Sequence, residues 1–180
     1  MQNSVPEPEI TLATTKRRLL SIVYDSLLLA AVIFIAYAIF MPVAKSAGIE
    51  TGHPITSVYL LSVIFLFNAW FWTHGGQTLG MKTWRIKLVH ENGQAISWGQ
   101  ALLRYLCALP SWLIILIGTA GFMLEQLPFP EAFAWMNKIP AGVILGTGLV
   151  MLYLEQRPDN WRDRFSHSQV ILLKPSTHTA

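Results

Sequence analysis

The chain has 180 residues, 53% of them hydrophobic and only 13% charged, a balance that excludes a soluble domain with an ordinary solvated surface. A net charge of +3 would suggest nucleic acid as the partner of a soluble protein, but here the basic residues fall in blocks between apolar runs. The expectation is therefore a basic face beside a lipid bilayer, with no nucleic acid partner. The single cysteine, Cys107, excludes an internal disulfide and any multi-cysteine zinc site.

Residues 1–16 include Pro6, Glu7, Pro8 and Glu9, have little to bury, and read as a disordered tail. After Lys16, Arg17 and Arg18 comes an apolar run too long for a secretory leader, which predicts a retained first spanning helix at about 19–40, interrupted by Asp25. A second uncharged run predicts a helix at about 55–72, and its end, from Phe67 to Trp72, has the aromatic character of a bilayer interface.

The linker 73–103 is not uniformly loop. Trp84, Ile86 and Leu88 alternate with Arg85 and Lys87, the period of a strand, and Asn92-Gly93 is a turn signal. Gln169 to Leu173 is a second β-prone run, so linker and C-terminal segment are expected to share a small sheet.

A third helix is predicted at about 104–124, kinked by Pro110, and a fourth at about 139–155 after Lys138. Sixteen uncharged residues in the fourth rise only about 24 Å against a ~30 Å hydrocarbon core, so Trp135, Met136 or a snorkelling Arg157 must supply the rest. Gly142 and Gly146, four apart, suit close helix packing or reflect the tolerance of glycine in membranes.

Orientation follows from the basic residues. Lys16, Arg17 and Arg18, then Lys82, Arg85, Lys87 and Arg104, then Arg157, Arg162, Arg164 and Lys174 fall on one side of such a bundle, and only Lys45 and Lys138 on the other. The expectation is an all-α membrane protein of four transmembrane helices with a small cytoplasmic β element. Its membrane domain covers 17–174, a short tail 175–180 follows, and both termini are cytoplasmic in a bacterial inner membrane.

Asp25 lies about 9 Å, six residues of helix, inside the first span, where an unpaired charge costs about 2.5–3.5 kcal/mol. Arg18 and Ser21 lie seven and four residues earlier on nearly the same face, so Arg18 is the expected partner of Asp25. Asn68 on the second span is at a comparable depth and suited to bond Asp25. Arg104 opens the third span and Glu155 closes the fourth. Together these residues outline a polar layer that either fixes helix register or holds a proton or cation.

The stretch from Arg18 to Asp25 resembles the opening of the RDD family of membrane proteins, whose name refers to an arginine and two aspartates. Gly76 to Val89 with Leu102 to Tyr105 is similar to the family's central linker and third-helix entry, and Asp163-Arg164-Phe165-Ser166 to its second aspartate motif. Where family members often carry Gly-Thr next, this chain has His167-Ser168. The resemblance implies a multi-pass membrane protein and little about activity, cation or proton exchange having been proposed only for some members.

Gly75 to Thr83 is similar to a phosphate-binding loop, but one extra residue precedes Lys82 and a membrane helix replaces the strand. His74, His167 and Asp163 lack metal-ligand spacing. No nucleophile and base are paired by spacing, so neither enzyme activity nor a cofactor is expected. The expected role is a structural or accessory membrane component, with a small cation- or proton-coupled transporter, using the buried carboxylate of Asp25 as its carrier group, as the alternative. Its partners would be the bilayer and a second copy or another membrane protein.

Overall fold

A computed structural model describes residues 11–50, 52–124 and 138–173 of the protein. The elements are α1 (Thr15–Ser46), α2 (Pro54–His74), α3 (Leu79–Thr83), β1 (Ile86–His90), α4 (Trp98–Met123), α5 (Ala141–Glu155), α6 (Trp161–Phe165) and β2 (Ser168–Leu172). Three of them, α1, α2 and α4, are long and apolar enough to cross a membrane, whereas α5 has 15 residues.

These helices carry their apolar residues outward. Leu27, Phe34, Ile39, Leu116 and Phe122 are all at least 60% exposed, the reverse of a soluble bundle and the arrangement suited to lipid. Contacts between helices use aromatic and small residues. Phe40 of α1 stacks on Tyr59 of α2 at 4.4 Å, and the Tyr105 hydroxyl of α4 donates to the Leu61 carbonyl of α2 at 2.9 Å. Helices α4 and α5 approach at Gly118 and Gly148, where an added Cβ would lie 2.5 Å from the Leu145 nitrogen and 2.7 Å from an Ile115 side-chain carbon. The close packing expected of Gly142 and Gly146 falls on these two instead. Gly142 would meet only Phe122 at 3.5 Å, and Gly146 faces open space.

The apolar core lies at one end of the bundle, where the N-termini of α1 and α4 and the C-terminal part of α2 converge on the sheet. Ala13, Ala69, Met81, Ile86, Leu88, Ile96, Ala101 and Val170 are buried there. The strands β1 and β2 pair antiparallel with Leu88 opposite Val170, so linker and C-terminal segment share a sheet as expected. Burying Ile86 and Leu88 contributes roughly 1.5–3 kcal/mol each.

Several boundaries differ from expectation. Residues 11–16, read as disordered tail, belong to the fold: Leu12 bridges Ile171, the Ala13 amide donates to the Val170 carbonyl at 2.8 Å, and α1 begins at Thr15. Residues 1–10, 51, 125–137 with Trp135 and Met136, and 174–180 lie outside the described residues. Helix α4 starts six residues before Arg104 because Ser97 and Gln100 form a capping box, each side chain bonding the other's backbone amide. Pro110 lies inside α4, which continues past it to Met123.

The two halves of the chain repeat one plan. A long helix and a second helix lead to a five-residue helix, a left-handed residue and a five-residue strand: α1, α2, α3, Arg85, β1, then α4, α5, α6, His167, β2. Asn160 caps α6 as Thr78 caps α3, and it follows Thr78 by 82 residues, just as Val170 follows its strand partner Leu88. Arg17 of α1 donates to the carbonyl of Trp84 at 2.9 Å, and Gln100 of α4 donates to that of Ser166, the matching residue after α6, at 3.0 Å.

Candidate functional site

The centre of the polar layer is Asp163. Asn160, the N-cap of α6, accepts from the Asp163 amide at 2.9 Å and donates to its carboxylate at 3.1 Å, fixing the side chain. Arg18 of α1 then donates to Oδ2 at 2.6 Å and Arg104 of α4 to Oδ1 at 2.7 Å, with all three side chains at most 7% exposed. Arg18 also reaches the carbonyls of Ala13 and Val170, at 3.3 and 3.4 Å. Arg104 donates to the hydroxyls of Ser168 and Ser166, at 2.6 and 3.4 Å. One carboxylate thus ties both long helices to the C-terminal segment. Burial alone would raise the Asp163 carboxyl, but Arg104, Arg18 and Arg162 outweigh it and hold the group below its ordinary value of 3.8. Burial brings the nearby Arg162 guanidinium down to about 10, with Arg104 adding repulsion.

Asp25 is not the partner of Arg18. Its carboxylate accepts from the Thr78 hydroxyl and from the Gly80 amide, the latter at 2.8 Å, so it sits at the start of α3. The physical reason is competition: Arg18 finds a buried carboxylate already oriented by Asn160, and the Asp25 carboxylate is satisfied by two neutral donors on the linker. Gly80 is required by this contact, because an added Cβ would lie 2.3 Å from the Ser21 carbonyl oxygen. The loop similar to a phosphate-binding loop therefore receives a carboxylate of its own chain.

Asn68 does not join the layer; its amide donates one turn back to the Ile64 carbonyl at 2.9 Å. Glu155 is fully buried at the end of α5, and neither carboxylate oxygen has a hydrogen-bond partner among the described residues. Nearby in sequence, Gln156 Nε2 and Arg162 Nε are also buried without partners among those residues. The buried Ser111 hydroxyl bonds its own helix at the Ala108 carbonyl, at 3.0 Å. His74 stacks on Trp70 with ring centroids 3.9 Å apart, and His167 lies 3.7 Å from Glu91, so neither histidine approaches Asp163 as a ligand pair.

Arginine in the first turn of α1, aspartate seven residues on, and aspartate within the short helix α6 occupy positions that the fold uses for closure. The RDD family model matches residues 12–167. The chain belongs to the RDD family. No similar curated protein and no similar solved structure was found.

In this RDD protein Arg18 and Asp163, whose surroundings resemble the family's arginine and second-aspartate motifs, are bonded to each other, and Asp25 is bonded to the linker. Thr78, Gly80, Asn160, Ser166 and Ser168 complete the layer, a place their sequence motifs did not assign them. A signal existed for two of them, since Thr78 and Asn160 are favoured N-cap residues just before short apolar or charged turns. His167, where family members often have glycine, takes the left-handed φ of 46°, so the geometry is kept by a residue that adopts it at a cost.

Proposed function

We propose that this RDD protein is a structural or accessory component of a bacterial inner membrane, crossing it four times with both termini cytoplasmic and performing no catalysis. The observation that carries this reading is the occupation of the family's charged residues by one another and by the linker, through the Arg18–Asp163–Arg104 arrangement and the Asp25 contacts. A carrier group must exchange its proton or ion, whereas these groups hold helices in place. The repeat of one plan in both halves supports a fourth crossing, because α5 then corresponds to α2. The exposed apolar faces of the helices suit lipid together with a second copy or another membrane protein.

One observation favours the alternative, a small proton- or cation-coupled transporter. Glu155 is a fully buried carboxylate with both oxygens unbonded among the described residues, so it rather than Asp25 is the group placed to carry a proton. Flux assays in proteoliposomes separate the two readings. The structural role predicts no proton or monovalent-cation flux above empty vesicles for wild type, Asp25→Asn or Glu155→Gln. Flux in wild type that is lost in Glu155→Gln would replace it with the transporter.

A further inference from the structure

The repeated plan exposes a difference between the halves that folding does not require. Where α1 begins, Thr14, Lys16, Arg17, Thr83, Trp84 and Arg85 line a cavity of about 420 Å³ with three cations and no acid. The corresponding place in the second half, around Ser97, Gln100, Ser166 and His167, is built without this charge. There Ser97 caps α4 with its own side chain, Gln100 supplies the neutral counterpart of Arg17, and His167, the counterpart of Arg85, faces Glu91.

In the first half the Thr14 side chain makes no cap bond, and the first turn of the 32-residue α1 holds no acidic residue. Its free amides and positive dipole end therefore add to the three cations. Arg17 commits one nitrogen to the Trp84 carbonyl and keeps further donors, while Lys16 and Arg85 are exposed. The Trp84 indole N–H is buried with no acceptor among the described residues. Tyr24, half-exposed on α1 two turns further along, meets Trp84 edge-on at 6.2 Å, an aromatic pair of the kind found at the level of lipid headgroups.

We infer that this cavity binds the phosphodiester headgroup of an anionic lipid. Lys16 and Arg85 supply charge from two sides, the Thr14 and Thr83 hydroxyls and the first amides of α1 supply neutral donors, and Trp84 forms the wall toward the acyl chains. The site requires only that α1 leave the bilayer near its N-terminus, so it stands whether or not α5 spans and whether or not the protein transports ions.

The test is native mass spectrometry of the full chain in detergent with equimolar short-chain phosphatidylglycerol and phosphatidylcholine. Wild type should retain phosphatidylglycerol preferentially. Lys16→Gln/Arg85→Gln should lose that preference by roughly thirtyfold, at about 1 kcal/mol for each basic residue. Arg157→Gln/Arg164→Gln, which removes the same charge elsewhere, should change it less than threefold or so. Circular-dichroism melting serves as the fold check, with an unchanged midpoint expected because Lys16 and Arg85 are exposed. Equal losses in both double variants would overturn the cavity in favour of general surface charge, and no preference in wild type would overturn it outright. Full displacement of phosphatidylglycerol by 10 mM inorganic phosphate, roughly the range where free phosphate sites fill, would overturn the lipid as its source.

Discussion

The guanidinium of Arg18 lies 2.6 Å from the carboxylate of Asp163, a residue 145 positions away, while Asp25, seven positions away on the same helix, bonds the linker instead. This long-range pair joins the first helix to the last segment of the chain. Because Arg104 shares the same carboxylate, the members of the cluster are not equivalent.

Removing Asp163 leaves two buried arginines facing each other, whereas removing Arg18 leaves one arginine with one carboxylate. Asp163→Asn should therefore destabilise the fold by about 3–5 kcal/mol and Arg18→Gln by less. Thermal melting in detergent checks the order, and a larger loss in Arg18→Gln would count against the shared-carboxylate arrangement.

Asp163 also sets an acid limit. Its folded pKa lies below the unfolded one, so its contribution is complete above the unfolded value and is lost as pH falls through the folded value. The gap in melting temperature between wild type and Asp163→Asn should stay constant from about pH 7 to about pH 5 and narrow on acidification below about pH 4. A gap that widens on acidification would mean the carboxyl is held protonated.

His167 occupies a left-handed conformation at φ 46°, where glycine carries no penalty. His167→Gly should raise stability by about 1 kcal/mol, since its contact with Glu91 is between exposed groups and contributes little. A lower melting temperature in this variant would show that the imidazole has a structural partner of greater weight.

Gly148 and Gly146 lie on one helix and predict opposite outcomes. Gly148→Ala places a methyl group against the Ile115 backbone nitrogen at 2.9 Å and should separate α4 from α5, lowering folded yield. Gly146→Ala meets nothing within 4 Å and should be neutral or slightly stabilising. Equal yields for the two would contradict this packing.

Much of this was legible in the sequence for a physical reason. Charge-free runs and alternation are local properties, so the apolar helices and the strand around Ile86 to Leu88 could be read directly, and its pairing was expected because the C-terminal run was the other β-prone segment on the same side. The Ser97–Gln100 capping box was equally local and would have placed the start of α4 correctly. Partner choice was not local. The lean of side chains along one helix suggested Arg18 with Asp25, but a carboxylate oriented by Asn160 on another element competed better. Asn68 had an acceptor one turn away at Ile64, which removed it from the layer. The residues Arg18, Asp25, Arg104, Glu155 and Asp163 could be named from the sequence, and their connections could not.

The central claim, that Arg18 is the structural partner of Asp163 and not of Asp25, is tested most directly by two double-mutant cycles measured by unfolding in detergent. One combines Arg18→Gln with Asp163→Asn and the other combines Arg18→Gln with Asp25→Asn. The first should give a coupling of about 1–3 kcal/mol and the second less than about 0.5 kcal/mol. A large coupling between positions 18 and 25, with none between 18 and 163, would contradict the account.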